Sequence, residues 1–244
     1  MMILFTICVL LLFRRSFADY GWTCERWPEH VKTGLLCGLL LVGGAGILRL
    51  LGVCHQPGVT PPTMVEGVIY AVFSLAAVFL FAGFLQRRRT LLNYAPAAAT
   101  VLVFAVVPCV PLIVALIYGR SFSHTLLTVL WLLLGAGFGE EVFYRGYIQS
   151  RLNESFGRPF CMLGIQFGAG LIVSSLLFGF LHALNSVDYF EGRFSFAWGF
   201  GIANICTGLF YGCLREATGG ILAGAVAHGT LDLLVIVPGL ISGA

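Results

Sequence analysis

Charge is scarce in this chain. Only 10% of its 244 residues are charged and 59% are hydrophobic, with a mean hydropathy of +0.94. A soluble domain carries roughly a quarter charged residues. A soluble core of this length could not hide so much apolar surface, so the solvent is lipid. Net charge is only +3 and no Lys/Arg stripe with interleaved aromatics occurs, which removes nucleic acid as a partner. Eight cysteines stand at positions 8, 24, 37, 54, 109, 161, 206 and 213, and none forms a C-x-x-C pair. Most lie in apolar runs, so they read as small buried hydrophobes rather than disulfide partners or zinc ligands. The opening MMILFTICVLLLF, followed by Arg14 and Arg15, lacks a basic leader and an A-x-A cleavage site. It reads as a short first span, or part of one, rather than a cleaved signal. The C-terminal ISGA carries no lipidation signal. No repeat, low-complexity tract or second domain is visible.

What the chain does have is long apolar runs, with 21 Phe and 31 Gly, as packed membrane helices require. Windows of roughly 18 or more apolar residues mark spans near 34–53, 64–85, 96–118, 122–143, 161–184, 194–213 and 220–240. With the N-terminal run these make eight candidates. The expected fold is an all-α polytopic membrane bundle of about eight helices. It forms one continuous membrane domain, generic over 1–118 and carrying its motifs over 119–244. Connectors such as HQPGVTPP, LNYAP, NESFGRP and REATGG are short and contain Pro or Gly. Eleven basic residues fall on the connectors after odd-numbered spans (Arg14, Arg15, Arg26, Lys32, Arg87, Arg88, Arg89, Arg145, Arg151, Arg158, Arg215). Only Arg120 and Arg193 fall opposite, and Arg49 snorkels from within a span. The positive-inside rule then puts both termini outside, and QRRR at 86–89 is a cytoplasmic anchor.

Ionisable groups inside spans are costly, which makes them functional candidates. In GEEVFYRGYIQSRL, Glu141 and Arg145 are i and i+4 with the acid on the N-terminal side, the favourable order for an ion pair. Glu140 is turned about 100° away and is left to face a cavity as a base. The bland alternative is a solvated helix end at the cytoplasmic surface. LLFGFLHAL sets Phe178 and His182 on one helix face, and LAGAVAHGTLDLL does the same for His228 and Asp232. Taken singly, these read equally as a satisfied core histidine and as polar glue between helices. Gly224, Ala225 and Gly229 would admit a close neighbour, and Gly135, Gly137 and Gly139 leave room beside Glu140. Three neighbouring spans each bringing one polar set point to a single acid–base site.

The order E-E-x-x-x-R, then F-x-x-x-H, then H-x-x-x-N/D on successive helices resembles the CAAX protease and bacteriocin-processing family. Its members are glutamate-dependent intramembrane proteases that include the type II CaaX prenyl endopeptidases. The matching residues are Glu140, Glu141, Arg145, Phe178, His182, His228 and Asp232, within residues 120 to 240. The resemblance implies that Glu140 and His182 activate a water and that His228 and Asp232 serve the oxyanion side. Glu141, Arg145 and Phe178 would support the site. Position 232 is Asp where the prenyl-processing branch typically has Asn, which points away from a prenylated substrate. An ionised Asp accepts but cannot donate, so Asp232 orients His228 rather than binding an oxyanion.

The expected function is an intramembrane endopeptidase with no cofactor, acting on a membrane-associated protein or peptide. The site would be reached from the cytoplasmic side of a bacterial plasma membrane. Zinc held by Glu140, His182, His228 and Asp232 is the alternative, although H-E-x-x-H is absent. Two further readings are a non-catalytic immunity or scaffold protein of the same fold, and a transporter using the polar cluster. Depth imposes one condition. A straight helix from Pro159 would carry His182 roughly 34 Å, to the far face from Glu140. FCMLGIQFGAG must therefore bend, tilt or lie at the interface, with the upright helix starting near Leu171.

Overall fold

The computed structural model describes residues 1–23, 25–54, 62–87, 97–188 and 191–243. Cys24, Arg88 and Arg89 of the QRRR anchor, and most of the connectors HQPGVTPP and LNYAP, lie outside them. The described chain is an all-α bundle. Its helices are α1 (Met2–Leu12), α2 (Trp27–Leu50), α3 (Met64–Arg87), α4 (Ala97–Ile117), α5 (Phe122–Phe156), α6 (Ala169–Ala183), α7 (Trp198–Thr218), α8 (Leu222–Val235) and α9 (Val237–Ser242). Two small antiparallel hairpins interrupt them. One pairs β1 (Phe160–Met162) with β2 (Ile165–Phe167), and the other pairs β3 (Val187–Asp188) with β4 (Arg193–Phe194).

Local sequence sets the boundaries. Pro28 stands in the first turn of α2, where a missing N–H costs nothing. Gly157 ends α5 at φ 72° and Gly219 ends α7 at φ 79°, a region that non-glycine residues rarely adopt. Pro238 separates α9 from α8.

Among the described residues five stretches are long and apolar enough to cross a membrane: Trp27–Leu50, Met64–Phe81, Phe122–Phe156, Ala169–Ser186 and Leu222–Ser242. They do not confirm the expected count of eight spans. The first run forms an 11-residue helix, about 16 Å long, roughly half of what a crossing needs. It lies along α5, with Phe5 against Phe143 and Tyr147. The window 161–184 is also not one helix. Residues 160–167 form a hairpin and the helix starts at Ala169, as the depth of His182 requires.

The closest packing joins α2 to α8, α3 to α7 and α6 to α7, while residues 131–140 of α5 lie on α8. Cys37, Leu41, Ala77, Val78 and Phe81 meet Leu171, Phe210, Leu214 and Ala227 in one buried cluster, so the first helices wall the same core as the last. The two ends of the bundle are distinct. At one, Arg15 pairs with Glu154, Arg158 with Glu216, and the Ile221 N–H donates to the Gly21 carbonyl. At the other, Arg120 donates to the Leu240 carbonyl, the Ala197 N–H donates to the Ala183 carbonyl, and Gly199 lies against Pro62 and Thr63.

Candidate active site

Glu140 sits near the middle of α5, a 35-residue helical stretch. Around it the winding is not the regular α-helix assumed from the sequence. Trp131–Glu140 and Val142–Gln149 take the wider π form, with i→i+5 hydrogen bonds. Such widening is frequent at functional sites, since it re-aims side chains that a regular helix would stack.

The two glutamates part company as their phase suggested. Glu141 is sealed in: its side chain and that of Arg145 are 0% exposed, and Oε1 lies 3.1 Å from Arg145 Nη1. The same Oε1 lies 3.3 Å from His228 Nδ1, so Glu141 holds two partners, not one. Arg145 also donates to the Gly208 carbonyl at 2.9 Å and stacks its guanidinium 4.5 Å over the Phe178 ring. Arg145 therefore belongs to the core and not to the interfacial charges with which the sequence count grouped it. Glycine makes this burial possible. A Cβ at Gly208 would come 3.1 Å from Arg145 Nη2, and one at Gly224 only 2.7 Å from Glu141 Oε2.

Glu140 faces the other way, into a cavity of about 560 Å³ shared with His182, His228 and Asp232. Its side chain is 20% exposed and that of His182 16%. Glu140 Oε2 has no hydrogen-bond partner among the described residues and lies 3.8 Å from His182 Nε2. His182 Nδ1 lies 2.7 Å from the Phe178 carbonyl, which can only accept, so the proton sits on Nδ1 and Nε2 presents a lone pair. Phe178 is fully buried against His182, Tyr144 and His228 and fixes the histidine from below. On the opposite wall His228 is held between Glu141 at Nδ1 and Asp232, 3.5 Å from Nε2.

All seven motif residues thus converge. Among the described residues no three His, Cys, Asp or Glu side chains are grouped to hold a metal ion. His182 and His228 each direct one ring nitrogen to a protein partner, and the remaining nitrogens face different carboxylates.

Residues that motif reading missed also line the cavity. The Tyr211 ring stacks on His228 at 4.9 Å, and its buried hydroxyl has no hydrogen-bond partner among the described residues. Asn204 donates one N–H to the Phe200 carbonyl, and Ser74 is bonded to Thr207 at 3.1 Å across the α3–α7 contact. Below Arg145 the polar stripe continues at four-residue spacing through Gln149 and Asn153. Gln149 donates to the Gly212 carbonyl and to Glu216, and Asn153 donates to Glu216. Extending the i, i+4 series from Glu141 would have found these two; nothing in the sequence marked Tyr211.

Pro62, Asn185, Ser186, Ala197 and Ile236 also line the cavity, and they stand at the bundle end opposite to Arg15, Arg151 and Arg158.

In comparison with known proteins, residues 122–234 fit the family model described as type II CAAX prenyl endopeptidase Rce1-like. No curated protein and no solved structure matches the chain. The matched stretch contains every motif residue, and over it the chain is similar to the type II CAAX prenyl endopeptidases.

Proposed function

We propose that this chain is a CAAX-type membrane endopeptidase that hydrolyses a peptide bond with a water held between Glu140 and His182, without a metal. The carrying observation is the pair of facing acceptors, Glu140 Oε2 and His182 Nε2, 3.8 Å apart on the cavity wall. Two acceptors cannot bond each other, and a separation beyond hydrogen-bond reach suits a bridging water. A water donating one hydrogen to each turns its lone pairs towards the cavity. Glu140 then takes a proton as the water oxygen bonds to the substrate carbonyl carbon. The proton passes to the leaving nitrogen as the C–N bond breaks.

The developing oxyanion needs donors placed in advance in a site that excludes bulk water. The Tyr211 hydroxyl and the His228 Nε2–H are the candidates on the cavity wall. Asp232 and Glu141 are positioning residues that fix the imidazole of His228 from either side.

The test is cleavage in cells. Membrane proteins from strains carrying the wild-type chain or Glu140→Gln are compared by mass spectrometry for peptides ending at new termini. Cleavages lost in both Glu140→Gln and His182→Ala, with the chain still present in the membrane, are the expected result. Cleavages that survive both substitutions would sink the reading. A chelator that abolishes the activity of purified protein would restore zinc.

A further inference from the structure

We infer that Asn204 binds the substrate: its carboxamide holds the peptide backbone of an extended segment beside the scissile bond. This rests on the hydrolytic reading above. It adds a residue outside the three motifs and the conformation in which the chain is bound.

Position carries the first part. The face of α7 that lines the cavity bears Phe200, Asn204, Thr207 and Tyr211, at steps of three and four residues that keep to one side of a helix. The two ends of this stripe touch different histidines. The Phe200 ring stands edge-on to His182 at 5.4 Å, and the Tyr211 ring stacks on His228 at 4.9 Å. At 1.5 Å per residue, Asn204 lies about 6 Å along the axis from Phe200 and about 10 Å from Tyr211. It therefore stands between the histidine that holds the water and the groups placed for the oxyanion, where a scissile peptide has to lie.

The side chain is fixed, with part of its hydrogen-bonding capacity left over. Asn204 Nδ2 donates to the Phe200 carbonyl at 2.9 Å. That oxygen can only accept, so the nitrogen end of the amide is assigned and the side chain is held against its own helix. Among the described residues the carboxamide makes no other hydrogen bond, and Asn204 is half-buried on the cavity wall. Its second N–H and its Oδ1 are left for the cavity.

Other polar groups on this wall have partners. Glu66 accepts from the Thr63 N–H and hydroxyl while its own N–H donates to Thr63 Oγ1, a capping box at the start of α3. Ser74 is bonded to Thr207, which donates to the Ala203 carbonyl. Tyr70 has the Cys54 thiol beside its hydroxyl. Asn185 is exposed, where water satisfies it. A polar group in a membrane helix is costly unless something answers it, and Asn204 is answered only in part by its own helix.

A peptide unit supplies the rest. An N–H and a C=O on one planar group match the donor and acceptor that a neighbouring strand presents. Elsewhere the cavity is walled by Leu41, Phe73, Leu132 and Leu231, which offer no such partner. A segment entering it loses water from its peptide groups, and each one left unpaired is destabilising. A helical segment would satisfy them internally but keep the scissile carbonyl engaged. Asn204 replaces the bonds that an unwound residue loses, so the chain is extended at that point.

The experiment couples Asn204 to one substrate nitrogen. Purified chain in detergent is given a defined mixture of capped hydrophobic peptides. The best-cleaved peptide is resynthesised with an N-methyl group at each backbone nitrogen flanking the scissile bond in turn. KM and kcat are measured for the wild type, Asn204→Leu and Asn204→Ala. In Asn204→Leu, KM should rise roughly 10- to 100-fold with kcat little changed, the effect of leaving a buried peptide group unpaired. One N-methyl position should raise the wild-type KM by a similar factor and leave that of Asn204→Leu unaltered, the non-additivity of two groups in contact. A purely structural role would weaken every peptide alike and couple to no single nitrogen. Equal N-methyl effects in the wild type and the variants overturn the proposal. Should Asn204→Leu fail to fold, Asn204→Ala carries the same comparison. Cleavage that persists in Glu140→Gln with the coupling intact refutes the water mechanism and leaves Asn204 its role. Cleavage lost in Glu140→Gln without any coupling does the reverse. A wild type that cleaves no peptide sinks both.

Discussion

Two regions of the bundle are built from the same residue types and put them to opposite uses. On one face of α5, Glu141, Arg145, Gln149 and Asn153 are buried, each with neighbours on α7 or α8. On the adjacent face, Glu140 is 20% exposed and opens on a cavity beside His182. Buried charge is tolerated where it is paired and costly where it is not. The sealed stripe, with Glu141 against Arg145 and His228, is therefore read as architecture, and the cavity-facing carboxylate as a place where something else binds. One residue step separates the two.

The largest expected effect separates the faces most sharply. Glu140→Gln keeps shape and removes the proton acceptor, so cleavage should fall by roughly 10²–10⁴-fold, the range of general-base catalysis. The thermal midpoint of the purified protein should stay close to that of the wild type. A large drop in that midpoint would mean that Glu140 belongs to the architecture after all, and the contrast between the two regions would dissolve.

Arg145→Met should do the reverse. It leaves Glu141 buried with only His228 to answer its charge, a loss on the order of 3–5 kcal/mol in a sealed pair. Protein yield and unfolding midpoint should fall together. Adding Glu141→Leu to Arg145→Met should recover part of the stability, because the orphaned charge goes with its partner. Cleavage should stay low in the double variant, since His228 then loses the carboxylate at Nδ1. A double variant less stable than Arg145→Met alone would show that Glu141 is held chiefly by His228.

The difference between the faces was only half legible in the chain. The i, i+4 spacings of Glu141 with Arg145, of Phe178 with His182 and of His228 with Asp232 survive in the folded bundle, because neighbours on a helix face remain neighbours after packing. The depth of His182 followed from counting rise per residue, and the hairpin at 160–167 satisfies that count. What spacing does not encode is which partner helix closes a face. Tyr211 reaches the cavity because α7 lies between α3 and α6, a fact of tertiary packing. Spacing likewise does not say that Glu216 of α7 meets Gln149 and Asn153 of α5. The short α1 shows a third limit, since an apolar run reports affinity for lipid and not the length of the helix it forms.

Tyr211→Phe asks whether the boundary between the regions lies where it has been drawn. Its ring packs against His228 and lies 5.5 Å from the Arg145 guanidinium, which is architecture, while its hydroxyl has no protein partner on the cavity wall. Phe keeps the ring and deletes the hydroxyl. Stability should be unchanged or slightly higher, because an unsatisfied buried group is removed. If the hydroxyl donates to the oxyanion, kcat should fall by about 10²-fold with KM little changed, the signature of a contact made in the transition state. A loss confined to KM would assign Tyr211 to substrate binding, and no kinetic change would return it entirely to the packing side.

The smallest expected effect lies at the arginine-rich end of the bundle. Arg15 and Glu154 pair at 2.8 Å, but both side chains are close to half exposed, at 40% and 46%. Solvent screens such a pair, and Arg151 stands at 2.7 Å from the same carboxylate to take its place. Arg15→Ala should therefore leave both the midpoint and cleavage within experimental scatter, at low and at high salt. This pair matches the Glu141–Arg145 contact in atom types and nearly in distance, 2.8 Å against 3.1 Å. Opposite outcomes for Arg15→Ala and Arg145→Met would show that burial, not the contact itself, makes one region structural. Equal outcomes would mean that the sealed face admits water and that its pairing has been overvalued.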